Sequence, residues 1–163
     1  MDYTSRMGGK ALGARLRRLS ETIDRDATRA YATVGTPFEQ RWFGTLNQLA
    51  INGPMTVSEL AAALRITHVS VSQARQSLEK NGLIASQEDA ADARRRYLVL
   101  TAAGKRLVRR LQPLWQAMEA AALEVNAEAD NAIAALDRLD EALARRSLFD
   151  RIMQQLGSGE TNA

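Results

Sequence analysis

Residues 53–104 read GPMTVSELAAALRITHVSVSQARQSLEKNGLIASQEDAADARRRYLVLTAAG, and this stretch decides the fold. Thr56 and Glu59 have capping-box spacing, with Met55 placed to staple onto Leu60, which predicts a short helix over ~57–64. After a turn at Arg65 and Ile66, Thr67 can cap a second helix, with Ile66 and Val71 as its staple. That helix closes at Asn81-Gly82, where glycine suits the left-handed position and Leu83 can fold back on Leu78. Two runs of β-compatible residues, Leu83 to Glu88 and Arg96 to Leu100, flank the polar stretch Asp89 to Arg95, a hairpin with a long tip. Thr101 then caps another helix.

A short capped helix, a tight turn, a second helix and an arginine-tipped hairpin make a winged helix-turn-helix, the arrangement that puts one helix into a DNA major groove and an arginine into the groove beside it. The flanks are helical. Leu12, Leu16, Leu19, Ile23, Ala27, Ala30 and Val34 recur at helical spacing over ~9–34, opposite Arg15, Arg17, Arg18 and Arg25. Gly35 closes that helix. Thr36-Pro37-Phe38-Glu39 has the form of a capping box with proline at the first helical position, predicting a helix through Trp42, Phe43, Leu46 and Leu49 that stops at Asn52-Gly53-Pro54. Beyond the hairpin, Leu107, Leu111, Leu114, Met118, Ala121 and Val125 step in near-heptad register. A last helix carries Ile133, Leu136, Leu139 and Leu143 and shifts phase to Leu148, Ile152 and Leu156, with Gly157 to Ala163 as a frayed tail. The fold class is therefore mainly α with a small β-hairpin wing. The long apolar stripes of the terminal helices predict a homodimer; the competing arrangement packs them onto the DNA-binding lobe of the same subunit.

The chain has 163 residues, 45% hydrophobic and 25% charged, enough to bury one core and short for two domains. No apolar run reaches the ~20 residues of a membrane span, and MDYTSRMGGK lacks an apolar signal core, so the expected address is cytoplasmic. Cysteine is absent and His68 is the single histidine, which excludes a thiol switch and a cysteine or multi-histidine zinc site. The net charge of +3 divides into +3 over residues 1–52, +5 over 53–110 and −5 over 111–163. A positive field on the segment proposed to meet phosphate fits nucleic-acid binding; a solvated charged face gives the same imbalance.

On the helix from Thr67 to Asn81, Val71, Ala74 and Leu78 share one face and should point into the core. His68, Val69, Ser72, Gln73 and Gln76 fall toward the opposite side, with Ser70 near the N-terminal edge. These residues carry base-edge chemistry: glutamine can bond an adenine edge bidentately, serine donates or accepts, and valine can touch a thymine methyl. The helix N-terminus adds amides for a phosphate. Arg75 has the length to reach phosphate past the core, or to serve as a surface residue. In the tip, Asp92 stands two residues before Arg94 and can hold its guanidinium in one orientation for entry into a narrow minor groove, with Arg95 beside it.

Asp92-x-Arg94 followed by Leu100-Thr101 and Gly104, and preceded by Leu78-Glu79-Lys80-Asn81-Gly82-Leu83-Ile84, resembles the recognition-helix and wing signature of the MarR family of bacterial transcriptional regulators. The similarity covers the whole chain in element order and is most specific over 56–104. It implies one MarR-like domain over 1–163, with 53–103 as the DNA-binding lobe, 9–52 and 104–156 as dimerisation and support helices, and 157–163 as a tail. It further implies a triangular homodimer that reads a pseudo-palindromic operator, often as a repressor released by small aromatic or phenolic ligands. Matching positions are His68, Ser70, Ser72, Gln73, Asp92 and Arg94. Many members carry arginine at the positions of His68 and Gln73 and an aliphatic residue at that of Arg75, so operator sequence does not transfer. Phe38, Arg41, Trp42 and Trp115 offer aromatic walls and a cation suited to an aromatic acid, although aromatic residues at helical spacing more often form a packed core.

Catalysis has little to stand on. His68 with Ser70, Ser72 or Asp92 lacks a nucleophile elbow, a glycine-rich phosphate loop or a carboxylate pair, and no cofactor is implied. A winged-helix adaptor or regulatory module that binds protein rather than DNA is the alternative, which the arginine-tipped wing disfavours.

Overall fold

A computed structural model describes residues 6–35, 37–88 and 96–160. The chain divides into two compact units, 1–116 and 117–163. Among the described residues no helix is long and apolar enough to cross a membrane.

In the first unit a short 3-10 turn, Gly8–Ala11, leads into α1, Leu12–Thr33. Only Ala27 and Tyr31 of α1 are buried, and Leu12, Leu16, Leu19 and Ile23 stay exposed. Helix α2 spans Trp42–Asn52, α3 Val57–Leu64 and α4 His68–Lys80; β1, Ile84–Glu88, and β2, Arg96–Leu100, follow, and α5 runs Ala102–Glu128. The antiparallel strands pair from Ile84 opposite Leu100 to Glu88 opposite Arg96. The core is built by Leu46, Leu49, Leu60, Val71, Leu78, Ile84, Leu98 and Leu111, so α2, α3, α4, the hairpin and the first part of α5 close on one another.

The caps form as their residues predict. Thr56 and Glu59 make a reciprocal capping box on α3, and the Ser70 amide donates to Thr67 Oγ1 at 3.1 Å. Gly82, at φ 67°, ends α4: its amide donates to the Glu79 carbonyl and the Leu83 amide to the Leu78 carbonyl, both bonds of a Schellman motif. Thr101 Oγ1 donates to the Gly82 and Leu83 carbonyls and accepts from the Gly104 amide, joining the end of α4 to the start of α5. Met55 and Leu98 exchange backbone hydrogen bonds at 3.2 and 2.8 Å, which fixes the wing's root to the start of α3.

The expected start of one helix needs correction. Helix α2 starts at Trp42, behind Arg41 and without a side-chain cap, rather than at Pro37. Thr36 lies outside the described residues, and Glu39 is drawn to Ser77 and Arg41 instead of serving a helix start. The buried face of α5 is Gly104, Val108, Leu111 and Trp115, while Leu107, Leu114 and Met118 are half-buried and Val125 is exposed. The helix carries two neighbouring apolar stripes, and the first unit takes the one beginning at Gly104.

The second unit holds the end of α5, then α6, Ala132–Arg145, and α7, Leu148–Glu160. The single last helix expected over this region is two. Ser147 caps α7 by accepting from the Asp150 amide at 3.1 Å, and Arg151 Nη2 donates back to the Ala142 carbonyl at 2.9 Å. What reads as a phase shift is a break. The helical backbone also continues through Glu160 rather than fraying from Gly157. No described residue of this unit is buried, and Ile133, Leu136, Leu143, Leu148, Phe149 and Ile152 are exposed.

Candidate nucleic-acid interface

Helix α4 is held at both ends and along its inner face. Arg65 adopts a left-handed conformation at φ 52° to close α3, and the Ile66 amide reaches the Ala61 carbonyl at 3.1 Å, so the turn into Thr67 is tight. Val71, Ala74 and Leu78 are buried. His68, Val69, Ser70, Gln73 and Gln76 are exposed and Ser72 is half-buried, which gives the outward face the composition expected from the sequence. Val69 is the least expected member of a solvated face: it is 66% exposed in a protein that buries its other α4 aliphatics. Ser70 Oγ is engaged with Thr67 Oγ1 at 2.9 Å, so it supports the cap before it meets anything else.

Arg75 is oriented along the helix rather than outward. Its Nε lies 3.6 Å from Glu79 Oε2, and that nitrogen is buried without a hydrogen-bond acceptor. Glu79 in turn accepts from Ser86 of β1, so the pair bridges the recognition helix to the wing.

Behind α4 lies a contact that the sequence did not suggest. Trp42 Nε1 donates to Ser77 Oγ at 3.0 Å, and the Ser77 hydroxyl donates to Glu39 Oε1 at 2.8 Å. Arg41 pairs with the other Glu39 oxygen. The Ser77 donor, reinforced by Arg41, holds the Glu39 carboxyl below its ordinary range against the opposing effect of desolvation. Glu39 and Ser77 are 38 residues apart, and no local spacing marks them as partners.

The expected aromatic site is brought together, but the rings fill one another's space. Phe38 stacks on Tyr31 with centroids 4.1 Å apart and presents an edge contact to Trp42 at 5.7 Å; Trp115 meets Phe38 and Phe43 edge-on. Trp42 and Trp115 are buried, and Trp115 Nε1 donates to the Tyr31 hydroxyl at 2.8 Å. Burial raises the Tyr31 pKa, partly offset by that bond. Arg41 is exposed and paired with Glu39.

At the wing, Glu88 and Arg96 pair at 3.3 Å across the last described rung of the hairpin. Asp92, Arg94 and Arg95 lie outside the described residues.

A family model for the MarR family matches residues 35–95. Among solved structures, a MarR family regulator from Neisseria meningitidis is 25% identical at a TM-score of 0.59, covering 83% of this chain and 93% of that one. Staphylococcus aureus MepR, solved in complex with DNA, is 24% identical at a TM-score of 0.69, covering 80% and 97%. Bordetella bronchiseptica BpsR, whose DNA binding is regulated by 6-hydroxynicotinic acid, is 20% identical at a TM-score of 0.64, covering 78% and 91%. No curated protein matches the sequence. The family match runs from Gly35 through the helix-turn-helix into the wing, and the elements on either side follow the same order as in the Neisseria meningitidis regulator, so the chain is similar in fold to winged helix-turn-helix regulators of the MarR family, most specifically over residues 35–95.

Proposed function

We propose that this protein is a cytoplasmic homodimer that binds a pseudo-palindromic operator in double-stranded DNA and represses transcription until a small aromatic or phenolic ligand releases it. It acts by binding, not by catalysis. The observation that carries the reading is the outward face of α4, where His68, Val69, Gln73 and Gln76 stand free on a helix fixed by two caps and a buried apolar face. Ser70 and Ser72 flank that face, Arg94 and Arg95 extend the contact to the neighbouring groove with Asp92 orienting Arg94, and Arg75 steadies the helix against the wing. The dimer reading rests on exposed apolar side chains in α1, α6 and α7, which lack a partner surface. The helices over 9–52 and 104–156 would then serve dimerisation and support, and 53–103 the DNA contact.

Release by a ligand requires that it prefer a spacing of the two recognition helices that DNA does not accept, so operator must weaken ligand binding in return. The aromatic cluster of Phe38, Trp42 and Trp115, with Arg41 as the cation, is the place proposed for it; its rings pack on one another and would have to part to admit a ligand. The DNA-complexed MepR and the 6-hydroxynicotinic acid response of BpsR are in keeping with both halves of the reading.

The test compares three variants on one operator and its single-base mutants. Gln73→Ala is expected to relax preference at one or two base pairs, at about 1–3 kcal/mol if the contact is bidentate to adenine. Arg94→Ala is expected to weaken binding to most sequences with loss of only an A·T-versus-G·C bias, and Asp92→Ala to reproduce part of that loss. Wild-type affinity in Arg94→Ala would refute the wing assignment. A response to salt much flatter than a log–log slope of about −5 to −9, the range for roughly 6–10 neutralised phosphates, would remove the electrostatic argument.

A further inference from the structure

Along one flank of α4 runs a polar groove of about 610 Å³, walled by Glu39 and Arg41 on one side and by Gln73, Gln76, Ser77 and Lys80 on the other. Gln73, Gln76 and Lys80 follow one another at offsets of three and four, a single line on the helix surface about 10 Å long. The two glutamines are proposed to read base edges, so the groove opens on the same side as the reading face. Its far wall is fixed by the recognition helix itself. The Ser77 hydroxyl donates to Glu39 Oε1 at 2.8 Å, and Glu39 Oε2 takes both Nε and Nη2 of Arg41 at 2.5 Å. Arg41 Nη1 has no partner among the described residues, and the side chain is about half exposed. Lys80 is exposed, and the neighbouring Glu79 is taken by Arg75.

A duplex major groove is about 12 Å wide and a helix with its side chains fills about 10–12 Å, so the two sugar-phosphate walls run along the helix flanks. We propose that Arg41 and Lys80 hold the sugar-phosphate strand on this flank, each by one backbone phosphate, with Ser77 and Glu39 positioning Arg41 rather than touching DNA. The inference rests on the DNA reading and extends the interface to α2's approach, outside the helix-turn-helix and the wing. Of the five guanidinium N–H donors, the contact with Glu39 engages one edge and leaves the rest for phosphate. A guanidinium already held by a carboxylate also loses less freedom when it meets a second anion. Ser77 lies on α4, so the arginine is tied to the helix whose flank it serves. The contact belongs to the DNA-bound state and the ligand proposed near Arg41 to the released one, so the two roles do not compete.

The experiment measures the affinity of the full-length protein against salt on two duplexes, one enriched by the protein from a random-sequence pool and one with that sequence scrambled. Each phosphate contact contributes about 0.9 to the log–log slope, so on a homodimer the loss of Arg41 or of Lys80 is expected to make the slope shallower by about 2, on both duplexes alike. Arg41→Gln alone leaves Glu39 uncompensated, so the informative variant is Glu39→Gln with Arg41→Gln, which keeps the local charge balance. A phosphate contact predicts the shallower slope in this pair; an arginine that only neutralises Glu39 predicts the wild-type slope. Arg41→Lys keeps the charge and is expected to recover most of the slope. Lys80→Gln is measured by itself, and Arg138→Gln, on an exposed cation of the second unit, is expected to change nothing. If the Glu39 and Arg41 pair lowers the unfolding midpoint, Arg41→Lys against Lys80→Gln carries the comparison. The proposal is overturned if the paired variant or Lys80→Gln keeps the wild-type slope, or if Arg138→Gln flattens it equally. A wild type that binds neither duplex at low salt sinks the DNA reading; a steep wild-type slope with unchanged variants sinks this inference alone.

Discussion

Gly104 offers a sharp stability test, because two effects of known size oppose each other there. Alanine in place of glycine within a helix ordinarily gains up to about 1 kcal/mol. A Cβ at Gly104, however, would lie 2.0 Å from the Leu83 carbonyl oxygen, 3.0 Å from its carbon and 3.3 Å from Leu100 Cδ2. The oxygen is backbone and cannot swing aside, since it accepts from both the Thr101 amide and the Thr101 hydroxyl at 3.1 Å. Relief requires the first turn of α5 to back away by about 1 Å, an overpacking cost of about 1–3 kcal/mol. Two stretched hydrogen bonds add about 1 kcal/mol each. After the propensity gain, Gly104→Ala is expected to destabilise the fold by about 2–4 kcal/mol. Urea unfolding followed by circular dichroism reads this directly, provided wild type and variant share a slope. A variant as stable as wild type, or more stable, would mean that α5 does not seat against Leu83 as described.

Three further outcomes are expected. The folded-state pKa of Glu39 lies below its ordinary value of 4.5, so the stability it contributes is fully present above that pH and is lost as pH falls through the depressed value; Glu39→Gln should flatten that acid limb, and an unchanged limb would remove the Ser77–Glu39 bond from the account. Ser77→Ala leaves the buried Trp42 Nε1 without its acceptor, at a cost of about 1–3 kcal/mol by chemical denaturation, while a loss within error would show that water replaces the hydroxyl. Light scattering should give about twice the 17.9 kDa of one chain, and a monomer mass at micromolar concentration would leave the exposed stripes of α1, α6 and α7 without an explanation.

Where the controlling interactions are local, the sequence was legible. Thr56 with Glu59, Thr67 with Ser70, and Gly82 with Leu83 are each settled within six residues, and α3, α4 and the hairpin fall at the expected positions. The buried face of α4 follows from spacing alone. Thr36 to Glu39 fit the capping pattern equally well, yet a residue on α4 claims Glu39 across 38 positions, and a short-range rule has no means of registering that competitor. The Met55–Leu98 pairing is also non-local, a single bridge with no run of residues to announce it. Phe38, Trp42 and Trp115 gave a composition common to pockets and cores; only their mutual distances distinguish the two. Ser147 and Asp150 are a different case, since their three-residue spacing is a local cap signal that the apolar phase shift obscured.

The Thr101 hydroxyl, shared between the Gly82 and Leu83 carbonyls, has a mechanical meaning for a helix proposed to read base edges. Helix α4 has 13 residues and is therefore about 20 Å long. Treated as an arm pivoting at Gly82, it carries its His68 end through about 3.5 Å for a swing of about 10°, close to the ~3.4 Å that separates neighbouring base pairs. Slack at that hinge pin would blur the reading by a whole step of the duplex while leaving every side chain on the outward face unaltered. On that proposal, fidelity at the far end of the arm would be set in part by one threonine at its fulcrum, and a change at Thr101 is expected to broaden the range of sequences bound before it lowers affinity for the best one.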